Sequence, residues 1–492
     1  MSSRRSLTIV SVLASLAVVA FAIGLRRGSF PLGVPGEWEW LRLPVSARVS
    51  GIDVVLTMVG IIAFGVMAAL GNRSLAGTPR RWREAAWLTL LVVSAFAVEI
   101  WTISQAPPGY GLERWVIALY QRGSNGYFTI ARTASSDLDR FLADYPAWIQ
   151  KQDALHIGTH PPGLITAEAM LLRTFAQHPD VASWINRRTP EPVEQAFRLF
   201  LFTDSMTGAE KATLLTTGVA TLLFTAGVVV PLYLLARSRL TPSGAWSAAV
   251  LWPLAPSVVM FQPTADTALP LIAAAAMACA AHAPGHRRGV GLGLAVLAGV
   301  WLGLGMQVTL AFLAVGLVVA ILLVVDRGVS WLNSASLVVA VGVGFLAVTL
   351  LFWAWTRANP FEIWWWNQKH HARFYQEYPR SLVAWIIANP IELAVGLGLP
   401  AVVWMVTGLR SPRTMPVVGI ATALTLLLLT LTGRNLSEVG RLWLPFMPAL
   451  LVLAGAAMER LEACPRSLAA TVIATGVQTL ILQSTIQVIY PV

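Results

Sequence analysis

The sequence predicts an all-α, polytopic membrane protein of about thirteen transmembrane helices. Three observations carry that prediction. Of the 492 residues, 56% are hydrophobic and only 12% are charged, against about 25% charged in ordinary soluble domains. Mean hydropathy is +0.66, and apolar runs long enough to cross a bilayer recur along the whole chain. This composition excludes a large soluble enzyme, a disordered chain and a nucleic-acid module. The formal net charge of +11 serves to hold the loops of one face in the cytoplasm, so no nucleic-acid partner is implied. Cys279 lies in an apolar run and Cys464 in a basic loop, which makes no disulfide framework.

A span needs roughly 20 mostly apolar residues. The runs that read as spans are 7–25, 52–71, 85–105, 212–236, 243–261, 264–283, 290–305, 307–325, 331–356, 381–408, 414–432, 441–459 and 467–489. The first follows Arg4 and Arg5, is longer than a signal-peptide core and lacks a small-x-small cleavage site, so it reads as an uncleaved anchor. The pair 290–325 is expected to turn near 305–307. With the N-terminus cytoplasmic, Arg73, Arg80, Arg81, Arg83, Arg237, Arg239, Arg287, Arg288, Arg327, Arg410, Arg413, Arg460 and Arg466 all fall on the inner side. The weak point of that scheme is Arg26 and Arg27, at the outer end of the first span. Four outer pieces remain: the long segment 106–211 and the short segments 262–266, 359–380 and 433–441. With no internal repeat, residues 1–492 read as a single integral-membrane domain, and 106–211 as a long extracytoplasmic loop within it.

In the long segment, 137–150 reads as a helix with Leu138, Phe141, Leu142 and Tyr145 on one face. A second helix opens at His160-Pro161-Pro162-Gly163, because proline is tolerated in a first turn. Residues 164–176 carry Glu168 and Arg173 and are too short and too charged to cross. They are expected to lie along the membrane interface.

The strongest local motif is His156-x-x-x-His160-Pro-Pro-Gly, preceded by Asn125-Gly-Tyr127-Phe-x-x-Ala131. Histidines at i and i+4 can bind zinc, but no glutamate follows the first, so the metalloprotease pattern is absent. Bracing of a loop by both rings ranks above a metal site. A third reading ranks above either. The spacing resembles the first outer loop of the GT-C superfamily of membrane glycosyltransferases, which includes protein O-mannosyltransferases and lipid A aminoarabinose transferases. The shared order is an outer-facing span end, a short motif with Tyr and Ala, and a His-Pro-Pro segment opening a juxtamembrane helix. An inward span ending in Leu-Ala-Arg-x-Arg-Leu at 235–240 and an outer turn with Pro263 and Asp266 follow. The likeness covers roughly residues 85–310.

That resemblance implies transfer of a sugar from a polyprenyl-phosphate donor to an extracytoplasmic glycolipid, polysaccharide or protein. It also implies a multi-pass protein of the plasma or inner membrane, whose partners are the lipid-linked donor and membrane lipid. In the family an acidic residue stands just before the Gly/x-Tyr and is taken as the catalytic base; here the residues are Ser124-Asn125-Gly126-Tyr127. An amide cannot accept a proton at neutral pH. Asp266 is the first substitute, then Glu113 and Asp153. Two roles stand level for Asp266: a base made stronger by desolvation at a membrane boundary, and an N-cap for the span it opens.

Further candidates lie elsewhere on the outer side. Glu99 and Glu392 are intramembrane acids and functional candidates for that reason; pairing with an arginine is the preferred reading of Glu392. Near the C-terminus, Gly433-Arg434 is followed by Glu438-x-Gly440-Arg441. Glu438 and Arg441 share a helical face, and an arginine at the mouth of a span suits a lipid phosphate. The alternative is a surface ion pair of little worth. Trp364, Trp365 and Trp366 read as an interfacial belt, which leaves His370 and His371 as candidate ligands. The candidate substrate-binding set is therefore Asn125, Tyr127, His156, His160, Glu99, His370, His371, Glu438 and Arg441. No cofactor is assigned, and a divalent metal stays open. The rival functions are a lipid or glycan transporter or flippase, and a catalytically inactive GT-C relative.

Overall fold

The computed structural model describes residues 2–488 other than 45–46, 122–123, 201–204, 326–329 and 410–414. Arg327, Arg410, Arg413 and the end of the last predicted span lie outside the described residues. The described chain is nearly all helix, with only four two-residue strands. Seven helices are long and apolar enough to cross a membrane: Leu7–Arg27, Gly51–Ser74, Arg81–Ser104, Gly208–Arg237, Ala265–Gly285, Arg288–Met306 and Trp331–Thr356. An eighth arises if Pro360–Glu377 and Leu382–Leu397, bent by 110°, count as one span. The architecture is that of a polytopic membrane protein.

Seven of the about thirteen expected spans are single helices of spanning length, and several of the other apolar runs are broken or short. Within 243–261 the chain forms Pro242–Ala249 and Pro256–Met260, since Pro253 and Pro256 lack the N–H a continuous helix requires. The run 381–408 divides at Gly398, whose φ of 101° ends Leu382–Leu397 before Leu399–Leu409 begins. The run 441–459 starts as a short helix and a 3-10 turn and becomes a regular helix only at Met447–Arg460. Ala311–Val325 and Val417–Leu431 are apolar but only 15 residues each.

Small residues let the helices approach closely, as packing within a membrane favours. Gly299 and Gly344 place the backbones of Arg288–Met306 and Trp331–Thr356 where an added Cβ would strike the opposite chain. The fully buried Trp246 lies over Gly71 and donates its indole N–H to the Ala68 carbonyl at 2.8 Å. At one end of the bundle Glu84 accepts from the Tyr233 hydroxyl at 2.7 Å and pairs with Arg237 at 3.6 Å. At the other end the segment after the first helix folds over the later loops. Glu37 accepts from the Ser381 amide at 3.0 Å and the Trp385 indole at 2.6 Å, and Leu41–Arg42 pairs with Ile486–Gln487. The Arg26–Arg27 end of the first helix therefore stands with the predicted outer segments.

The long segment between Ser104 and Gly208 packs Phe128, Leu142, Tyr145 and Phe197 into an apolar core completed by Leu214, Leu215, Leu222 and Val259 of the bundle. Its helix Leu138–Ile149 is capped by Asp137, which accepts the Arg140 amide at 3.3 Å. Helix Gly163–Gln177 begins directly after Pro162. The Gly163 amide donates to the Gln307 carbonyl at 2.9 Å, in the turn between Arg288–Met306 and Ala311–Val325. A side chain at residue 163 would run into that same carbonyl. The glycine of the His-Pro-Pro-Gly motif thus seats the outer segment on the membrane bundle.

Candidate functional site

All four predicted outer segments meet around one cavity of about 410 Å³. Its polar end is formed by His156, His160, Asp266, Arg434, Glu438 and Arg441, with His371 and Tyr375 on the wall. A second cavity of about 20 Å³ adjoins it and is lined by Ser124, Asn125 and Tyr127. His156, His160, Asp266 and Arg441 belong to both. Residues far apart in sequence are therefore neighbours here, which spacing alone could not show.

Arg441 is the centre of charge. Its Nη2 donates to Glu438 Oε2 at 2.6 Å, and its Nε stands 3.7 Å from Asp266 Oδ2. That Nε is buried and donates no hydrogen bond. Asp266 lies inside a 3-10 turn, Ala265–Thr267, whose N-cap residue is Thr264, and the helix that follows is capped at Ala268. Of its two expected roles, N-capping is thus absent.

The loop carrying Arg441 is held from behind. Asn389 donates to the Asn435 carbonyl at 2.8 Å, and Glu392 accepts the Gly440 amide at 2.9 Å and the Trp40 indole at 3.2 Å. Glu392 was expected to pair with an arginine. It binds a backbone amide and an indole instead, because Gly440 brings the main chain within reach. Tyr375, not among the predicted site residues, accepts the Leu436 amide at 2.9 Å and donates to the Arg434 carbonyl at 3.3 Å. Its only sequence signal is its position one helical turn beyond His371. Ser437 and Glu438 have φ of 75° and 53°, a backbone region that costs non-glycine residues of order 1–3 kcal/mol each and persists where surrounding bonds enforce it.

The histidines divide. His160 Nδ1 lies 2.6 Å from the His156 carbonyl, and its ring packs edge-on to Tyr127 at 5.8 Å. Burial lowers the His160 pKa, with the Asp266 carboxylate pulling the other way. Burial and then the Asp266 charge hold the Tyr127 phenol well above its ordinary range. His371 lines the cavity, whereas His370 is buried against the Ile149 carbonyl at 2.9 Å and serves packing. Three predicted acids lie away from the cavity. Glu113 accepts the Gly109 amide at 3.2 Å, and Asp153 accepts the Leu155 amide at 3.1 Å. Glu99 is fully buried in Arg81–Ser104, with neither oxygen hydrogen-bonded. Among the described residues, no group of three or more His, Cys, Asp or Glu is placed to hold a metal ion.

Glu168, on the helix read as lying along the membrane interface, is buried with Oε2 unpartnered. Burial raises its pKa to about 8. A carboxyl raised above its unfolded value favours the fold while protonated. That contribution is complete below about 4.5 and is lost as pH rises through about 8. Glu168→Gln is expected to flatten the fall in thermal midpoint across this window; an identical pH dependence in both proteins would exclude a buried, protonated Glu168.

No family model matches the chain, and neither does any curated protein.

Proposed function

We propose that the protein is a membrane glycosyltransferase of GT-C type. It moves a sugar from a polyprenyl-phosphate donor to a glycolipid, polysaccharide or protein on the extracytoplasmic face of the plasma or inner membrane. The observation that carries this reading is the composition of the large cavity. Asp266, His160 and Arg441 occupy one end, and Leu313, Leu317 and Leu428 line its flank while being 59%, 41% and 50% exposed. This exposed apolar flank supports a lateral opening of the cavity toward lipid. The two helices bearing these leucines have 15 residues each, a rise of about 22 Å against a hydrocarbon core of about 30 Å. In this reading the isoprenoid chain lies against the leucine flank and its phosphate faces Arg441, where the charge released on bond cleavage needs preorganised donors. The thirteen-pass topology with a cytoplasmic N-terminus, read from the arginines, belongs to this proposal.

The test is transfer of radiolabelled mannose, glucose or arabinofuranose from its polyprenyl phosphate to envelope acceptors, with the full chain in proteoliposomes. Label in acceptor is the expected result. No transfer from any donor, or passage of the intact lipid-linked sugar across the bilayer, would refute the enzyme and favour a flippase. Asp266→Asn removes the charge facing Arg441 and is expected to lower turnover by about 10²-fold or more with an unchanged thermal midpoint. Full activity in that variant would remove Asp266 from the machinery.

A further inference from the structure

Asn125 leaves the site without a base at the position where the resembling family has one, and Asp266 is already turned to a guanidinium. The geometry points to His160 Nε2 as the group that takes the proton from the acceptor hydroxyl, a role that rests on the glycosyltransferase reading. Three observations lead there.

First, the tautomer is set by the chain itself. A carbonyl oxygen only accepts, so the 2.6 Å contact of Nδ1 with the His156 carbonyl puts the proton on Nδ1. The Thr159 hydroxyl, 3.0 Å from the same nitrogen, has its own proton on the Leu155 carbonyl at 2.8 Å and therefore accepts as well. Nε2 is left with a lone pair. Second, His160 lines both cavities, the small one shared with Tyr127 and the large one flanked by exposed leucines. A hydroxyl in one and a donor in the other would meet at this ring. Third, the groups around it suit a neutral base that becomes charged only during reaction. Tyr127, His156, Asp266, Arg441 and His371 face it from the packed elements, and the Tyr145 hydroxyl donates to its carbonyl at 3.2 Å. Burial keeps the ring uncharged, while the nearby Asp266 carboxylate favours the imidazolium as it forms.

In the step, the acceptor oxygen forms its bond to the anomeric carbon and its proton passes to Nε2. The bond from that carbon to phosphate breaks, and polyprenyl phosphate leaves with the electron pair. The imidazolium then returns its proton to water. Asp266 holds Arg441 in place and is a positioning residue in this scheme.

The experiment compares wild type, His160→Gln and Asp266→Asn in proteoliposomes, with whichever labelled polyprenyl-phosphate sugar the wild type uses. Binding of undecaprenyl phosphate is the control for an intact site. His160→Gln should bind undecaprenyl phosphate within about twofold of wild type and lose about 10²–10⁴-fold in turnover. The wild-type rate should fall as pH drops below the ordinary histidine range. That acid limb should vanish from the residual rate of His160→Gln and persist in Asp266→Asn. Near-normal turnover in His160→Gln overturns the assignment and leaves the transferase reading standing; so does an acid limb lost in Asp266→Asn but kept in His160→Gln. A wild-type chain that transfers no sugar overturns both.

Discussion

Arg441→Ala is expected to weaken binding of undecaprenyl phosphate by at least about 30-fold. Truncating one partner of a desolvated, hydrogen-bonded charge pair across a binding interface, here Arg441 against the lipid phosphate, costs about 2–5 kcal/mol, and 2 kcal/mol corresponds to about 30-fold. Here the change would strip both Asp266 and Glu438 of the guanidinium between them and take away the buried Nε that has no protein acceptor. Arg434 is exposed on the rim, so Arg434→Ala should cost far less, within the range of screened surface charges. Titration of intrinsic tryptophan fluorescence with undecaprenyl phosphate in nanodiscs would measure both. Equal losses, or none, would place the phosphate elsewhere.

The second large effect is on folding. Gly163→Val should lower stability by about 3 kcal/mol or more, from overpacking and a lost backbone hydrogen bond together. The added carbons would have to occupy the space of the Gln307 carbonyl, and the Gly163 amide bonds that same oxygen at 2.9 Å. Backbone stands on both sides of the contact, so no side chain can swing away to relieve it. Gly163→Ala should fall between wild type and valine in thermal midpoint. A valine variant as stable as wild type would mean that the outer segment is not seated on that turn. Because His160 is only three residues before Gly163, transfer activity should fall with the fold.

The membrane class and the gathering of polar motifs in a few non-spanning segments were legible because each depends on local composition. Hydrocarbon demands about 20 apolar residues wherever a helix crosses, and arginines keep to one side. The helix after His-Pro-Pro-Gly was legible for a similar reason, since proline and glycine act on the backbone next to them. The span count was less so. A run such as 243–261 has the hydropathy of a span, yet whether Pro253 and Pro256 bend or break it depends on neighbours that re-satisfy the freed carbonyls.

For the site, sequence nominated Asn125, Tyr127, His156, His160, Asp266, His371, Glu438 and Arg441 from four separate segments, and these line the joined cavities. It could not separate His371 from His370, because adjacent residues on a helix point about 100° apart and only the position of the Ile149 carbonyl decides which one is buried. Nor could it show that Glu113 and Asp153 brace their own loops, or that Glu392 supports Gly440. By itself, then, the sequence determined a polytopic helical protein, its basic and polar faces, and which residue types were available for chemistry. Tertiary structure alone decided which of them face one another, because contacts between 125, 160, 266 and 441 depend on helix rotation and close backbone approach, and neither leaves a periodic trace in the chain.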